Sequence, residues 1–190
     1  MNRVNYCPNC KTENKTGKCQ NCRTLPPIFV VDKRDNLTGK LIHDLKYSSV
    51  RALKAPLAEL LDNALPEIIG NVTIVPLPTI SKHIRARGLD HTYLISKHLA
   101  RLRGKNYRVE KLLLRAKNTV QVGTDAKTRQ TQAAAAYKIK RNAQINPQTT
   151  YILLDDVWTT GASMKAALKK LRSLGVKKVI IAILAVNRLD

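Results

Sequence analysis

The spacing of apolar positions changes along the chain, and those changes mark out its elements. After the Pro26-Pro27 pair, the continuous run Ile28 to Val31 predicts a buried strand. From 37 to 47, LTGKLIHDLKY places Leu37, Leu41, Ile42 and Leu45 on one face of a helix. A second helix begins near Pro56, which the first turn tolerates, and carries Leu57, Leu60, Leu61 and Leu65. NVTIVPLP at 71–78 predicts a buried strand ending in prolines, and His91 to Arg103 follows with Tyr93, Leu94, Leu99 and Leu102 at helical spacing. Residues 117–130 are polar and predict a loop, a candidate lid. The last stretch predicts a strand at Tyr151 to Leu154, a helix from Ser163 to Leu174 closed by Gly175, and a strand from Lys178 to Val186. Strands alternating with helices imply an α/β fold with a mainly parallel sheet. Residues 1–25, polar and cysteine-rich, form a separate small unit before a main domain at 26–190.

Composition narrows the class. The 190 residues are 44% hydrophobic and 25% charged, the balance of a soluble globular chain. The first residues contain no apolar signal region, and the run IIAILAV is too short to cross a bilayer, so a cytoplasmic protein with no membrane insertion is expected. Thirty-four Lys and Arg against 13 acids leave a formal charge of +21, which attracts polyanions. Eleven of these bases fall between Ser81 and Lys117, and six more between Lys165 and Lys178. Single-stranded DNA is one candidate partner, with Arg101, Arg103 and Lys105 as candidate contacts; a lysine-rich solvated face is the plainer alternative. Aromatics at 4% leave little for base stacking.

Cys7, Cys10, Cys19 and Cys22 follow the spacing C-x2-C-x8-C-x2-C. Two such knuckles can wrap four thiolates around one zinc ion, and in a reducing compartment this outweighs disulfide or redox readings. With four ligands no coordination position stays open, so the zinc would be structural.

The segment YILLDDVWTTGAS carries the most specific chemistry. Its apolar run delivers Asp155 and Asp156 to the carboxyl end of a strand, where ligands of open α/β sheets bind. Two adjacent carboxylates suit the vicinal hydroxyls of a ribose. Thr159, Thr160 and Ser163 offer hydroxyls, Gly161 lets the backbone approach closely, and a helix starting near Ala162 presents N–H groups and its positive dipole end to a 5-phosphate. A Thr-capped helix after an acidic turn explains each residue singly, but not the whole order. The spacing GxxxxGK[ST] of a P-loop is absent. Lys82, Arg85 and Arg87, in the Pro78 to Gly88 turn, lie past another strand end and could meet a pyrophosphate. His43, His83, His91 and His98 are scattered and are expected on the surface or in packing.

The DDVWTTGAS loop resembles the signature of type I phosphoribosyltransferases. Together with the paired CxxC motifs, LIHDLKY at 41–47 and VPLPTISKHIRARG at 75–88, it makes the chain similar to the ComF family of competence-associated proteins. That resemblance implies a mainly parallel sheet of type I phosphoribosyltransferase type with a small N-terminal zinc-binding knuckle. It implies binding of phosphoribosyl pyrophosphate with magnesium at Asp155, Asp156, Thr159, Thr160, Gly161, Ala162, Ser163, Arg85 and Arg87. Asp156 would contribute to catalysis, and Arg129 of the lid would close over the leaving group. It also implies a role in natural competence and DNA uptake, with the competence helicase and DNA-processing proteins as candidate partners. The alternative is a non-catalytic factor that senses the metabolite and binds single-stranded DNA. Arg115, Thr119 and Gln121 match the family pattern too. Leu89-Asp90-His91, where the family has Phe-Asn-Gln, and Gln132, where it favours Asn, depart from it.

Overall fold

The structure, a computed structural model, describes residues 7–14, 17–48, 50–116 and 136–187. Its centre is a five-stranded parallel sheet in the order β1-β7-β6-β2-β3. The strands are β1 (Ile28–Lys33), β2 (Val72–Pro76), β3 (Tyr107–Val109), β6 (Thr150–Trp158) and β7 (Val179–Val186). A separate antiparallel pair joins β4 (Leu113–Arg115) to β5 (Tyr137–Ile139). Among the described residues five α-helices accompany them: α1 (Leu37–Tyr47), α2 (Lys54–Ala64), α3 (Ser81–Arg87), α4 (His91–Arg103) and α5 (Ala162–Ser173), with a 3-10 turn at Arg51–Leu53 before α2.

Both faces of the sheet are covered, which is why β2, β6 and β7 read as near-continuous apolar runs. On one face Tyr151 and Leu153 of β6 pack with Met164, Ala167, Leu168 and Leu171 of α5 and with Leu113 and Tyr137 of the β4-β5 pair. On the other, Ile152 and Leu154 pack with Ile42 and Leu45 of α1, Leu57 and Leu61 of α2, and Ile95 and Leu99 of α4. Alternation along β6 therefore sends Asp155 towards the α5 face and Asp156 towards the α1-α4 face. The chain leaves β2 to one side, for β3, and later returns to its other side with β6. The crevice at the carboxyl ends of β2 and β6 is thus a topological switch point, the place where open parallel sheets bind ligands.

Several expectations need correction. The strand expected at Tyr151 to Leu154 continues to Trp158, so both acids lie within it, held by pairing on to β7 as far as Trp158 with Val186. The basic segment expected as a turn folds as helix α3, ended by Gly88 in the left-handed region at φ 67°. The buried face of α4 consists of His91, Thr92, Ile95, Ser96 and Leu99; Tyr93 and Leu94 are half-buried and Leu102 is exposed, because the packed stripe is rotated from the one the leucines alone mark. Leu37 is likewise exposed. The candidate lid at 117–130, with Thr119, Gln121 and Arg129, and also Gln132, lie outside the described residues.

The cysteine unit sits on the amino edge of the sheet. The Ile28 N–H, at the start of β1, donates to the Gly17 carbonyl at 2.8 Å, and Arg172 near the end of α5 donates to the Thr24 carbonyl at 2.9 Å. The acids occupy the opposite edge, so the knuckle does not cap them. Among the described residues, no helix is long and apolar enough to cross a membrane.

Candidate functional site

Asp156 is the best-defined group of the site. Lys46 of α1 places its ammonium on Asp156 Oδ2, and the His91 Nε2 of α4 lies 2.7 Å from the same oxygen. All three side chains are nearly or largely buried. The approach of each partner follows from local folding. Asp90 caps α4 by accepting from the Tyr93 N–H at 3.3 Å, which makes His91 the first helical residue and aligns it with Ile95 and Leu99 at steps of four. Lys46 lies four residues after Ile42, on the buried side of α1.

The two carboxyls have opposite electrostatics. Burial and then the charge of Asp156 push the Asp155 carboxyl well above the usual carboxylate range, against a hydrogen bond from the Asp156 N–H at 2.9 Å. Burial pushes Asp156 up as well, but the hydrogen bond from His91 and the charges of Lys46 and His91 outweigh it and hold that carboxyl well below its usual value. One acid is kept ionised and aimed; its neighbour is a ready proton holder that an incoming ligand's hydroxyls could satisfy.

Beyond Trp158 the chain turns into α5 through Gly161, whose φ of 74° is left-handed. A Cβ there would run into the Trp158 indole, so both conformation and space require glycine. The helix has no side-chain cap; only the Ala162 N–H reaches Thr160 Oγ1, at 3.4 Å. Thr159, Thr160, Ala162 and Ser163 are exposed around this start. Exposed hydroxyls and amides at an uncapped helix N-terminus, beside two acids at a switch point, can receive a phosphate whose ribose faces the acids. A small cavity of about 50 Å³ there is lined by Asp155, Trp158, Thr159, Gly161 and Ser163.

Among the described residues, Arg87 does not reach these groups. Its guanidinium donates to the Tyr47 hydroxyl at 3.1 Å and lies over that ring at 4.8 Å. Arg85 and Lys82 are exposed on α3. Arg115 of β4 instead donates to the Tyr137 hydroxyl at 2.7 Å, and burial raises the pKa of that phenol, with Ser163 and Asp155 near enough to act on it. Sequence reading missed Lys46, His91 and Tyr137. The first two left a signal: each is a polar residue four positions from a buried apolar one on the same helical face, Lys46 after Ile42 and His91 before Ile95.

In the knuckle, the four Sγ atoms lie within 4.8 Å of one another. Tetrahedral zinc with bonds of about 2.3 Å asks for sulfurs roughly 3.8 Å apart. The Asn9 amide donates to Cys22 Sγ at 3.1 Å, and the Thr12 hydroxyl lies 3.1 Å from Cys10 Sγ and 3.5 Å from Cys19 Sγ. Donors of this kind orient and stabilise thiolates around a metal. The Thr12 hydrogen bond first of all lowers Cys19 to about 6, whereas burial pushes Cys7 up to about 12. Cys7, Cys10, Cys19 and Cys22 therefore fit zinc, whose charge would offset the cost of ionising Cys7.

No protein-family model matches the chain. A search of curated proteins finds Competence protein F of Haemophilus influenzae, 28% identical over 193 residues that cover 92% of this chain and 81% of the relative. Likeness along nearly the whole chain, together with the four-cysteine cluster, bears out the resemblance to the ComF family.

Proposed function

We propose that the protein binds phosphoribosyl pyrophosphate with magnesium at the β2-β6 switch point, transfers the phosphoribosyl group to a nitrogen acceptor, and serves natural competence. The observation that carries this reading is the juxtaposition at one sheet edge of Asp155, Asp156 and the uncapped start of α5. Asp155 and Asp156 take the two ribose hydroxyls. Thr159, Thr160, Ser163 and the amides of Gly161 and Ala162 hold the 5-phosphate. In the transfer, the bond from the anomeric carbon to the pyrophosphate oxygen breaks and its electron pair leaves with pyrophosphate. The lone pair of the acceptor nitrogen forms the new bond, and its proton passes to water. Magnesium carried in with the donor would neutralise part of the diphosphate charge. Asp156, ionised by Lys46 and His91, stabilises positive charge at the sugar as the bond breaks and fixes the ring. The competence role rests on the name of the Haemophilus influenzae relative.

A second reading has one observation in its favour. Arg101 and Lys105, at the end of α4 and just beyond it, are exposed and basic, so a metabolite-sensing factor that binds single-stranded DNA would use them. Arg103 does not belong to that surface. It pairs with Asp62 and donates to the Asp62, Leu65 and Pro66 carbonyls at the end of α2, where it acts as a cap.

Calorimetric titration with phosphoribosyl pyrophosphate and magnesium tests the leading reading, with Asp155→Asn plus Asp156→Asn as control. Saturable binding in the wild type and none in the control is expected. Absence of binding to the wild type removes the pocket from the reading and leaves the DNA surface to be tested.

A further inference from the structure

A second cavity, about 490 Å³, runs along α1 and has no part in the cradle described above. Its lining includes Arg34, Lys40, His43, Lys46, Tyr47 and Val157. Two of these residues tie it to the acids. Val157 also lines the small cavity beside Asp155, and Lys46 carries its ammonium to Asp156. The two hollows therefore share a wall at the residue that follows Asp156. A protein that only senses one ligand needs one such hollow, whereas group transfer needs two that meet at the reacting carbon.

The lining specifies what enters. Ile42 and Val157 supply apolar surface, and the rings of His43 and Tyr47 stand 5.0 Å apart, Tyr47 being backed by the Arg87 guanidinium. Those surfaces suit a flat, conjugated body. The basic groups suit a negative edge. Arg34 and Lys40 are exposed and take part in none of the described ion pairs; Arg34 donates to the neutral Asn187 side chain at 3.1 Å. Two acids also line the cavity: Asp44, whose carboxylate lies 3.2 Å from the His43 ring nitrogen, and Asp35, which has an interaction of its own. The backbone of Arg34 is held by its N–H, which donates to the Val186 carbonyl at 2.8 Å, and its carbonyl packs so close to Gly39 that no side chain fits there.

We propose that the α1 cavity binds a small planar anion, with Arg34 and Lys40 selecting its negative edge, and that this anion is the acceptor of the phosphoribosyl group. The second clause rests on the transfer reading above. The first does not.

Nicotinate and nicotinamide share one ring and differ by one charge, so they serve as probes. Each is titrated by NMR into isotope-labelled protein, with and without saturating ribose 5-phosphate. Nicotinate is expected to bind about tenfold more tightly, as one charge-assisted contact allows, shifting resonances of Lys40, Tyr47 and Val157. In the double variant Arg34→Gln, Lys40→Gln that preference is expected to vanish while ribose 5-phosphate still binds, which also shows that the variant folds. Equal binding of the two probes, no binding of either, or a preference that survives in the variant overturns the proposal. So does displacement of nicotinate by inorganic pyrophosphate, which would assign the cavity to the donor. If ribose 5-phosphate fails to bind while nicotinate is still preferred, the transfer reading falls and the anion site stands.

Discussion

Asp155 and Asp156 are neighbours in the chain, yet the two faces of the sheet treat them differently. On the α5 face Asp155 meets burial and a like charge, so its carboxyl retains its proton to unusually high pH. On the α1-α4 face Asp156 meets Lys46 and His91, so its carboxyl is ionised even in acid. A covalent neighbour thus says little about a carboxylate's state; the helices packed against its face decide it. The pairing of one poised and one ionised acid is an arrangement suited to a site that must accept two hydroxyls and also stabilise positive charge.

The sharpest way to break this contrast is to neutralise each acid separately and compare stability without ligand. Asp156→Asn leaves a mostly buried ammonium without its charge partner and is expected to cost on the order of 3 kcal/mol, a fall in Tm of about 10 °C. Asp155→Asn removes a group that burial penalises when charged and is expected to raise Tm by about 2–4 °C at neutral pH. Both substitutions should abolish donor binding, so function and stability part company only at Asp155. The same signs hold in pH. The folded chain releases the Asp156 proton below the unfolded value of 3.8, so its contribution is complete above that value and disappears as pH falls towards the depressed one. Asp155 holds its proton above 3.8, so its contribution decreases as pH rises from there towards its raised value. Thermal melts of the two variants across pH 3–8 check both; melting shifts of one sign for both acids would refute the contrast.

A smaller effect is expected at the turn that follows the acids. Gly161→Ala forces a left-handed φ on alanine and a contact with Trp158, at a cost of roughly 1–3 kcal/mol. Since the strain falls on the cradle, donor affinity measured by calorimetry should drop with it. Smallest of all is the effect of the knuckle on the crevice. Chelating zinc, or Cys19→Ser, should abolish stoichiometric metal and lower Tm, yet change donor affinity by less than about twofold, because the knuckle rests on the amino edge of the sheet. A larger loss of affinity would mean that the two edges communicate.

Which of these features the amino-acid sequence announces depends on how far apart along the chain their residues lie. The β6-α5 loop is contiguous, and its order of apolar run, two acids, hydroxyls and glycine was legible because strand, turn and helix start are local events. Its boundaries were less so: β6 extends past both acids because β7 pairs with it there, a long-range condition. That Arg85 and Arg87 stand on a helix, and that Arg87 donates to the Tyr47 hydroxyl of α1 forty residues earlier, no local pattern announces. His91 was read as one scattered histidine, although its steps of four to Ile95 and Leu99 placed it on a buried stripe.

The amino-acid sequence by itself determined the alternation of strands and helices, the four-thiolate cluster and the chemistry of the acid loop, since each arises from residues within a turn or two of one another. Only the tertiary structure decided that Lys46 and His91 converge on one oxygen of Asp156, that the knuckle occupies the edge away from it, and that a basic hollow opens beside Val157. Those relations depend on which crossover returns to which side of the sheet, and that is settled by the burial of whole helical faces rather than by any local preference.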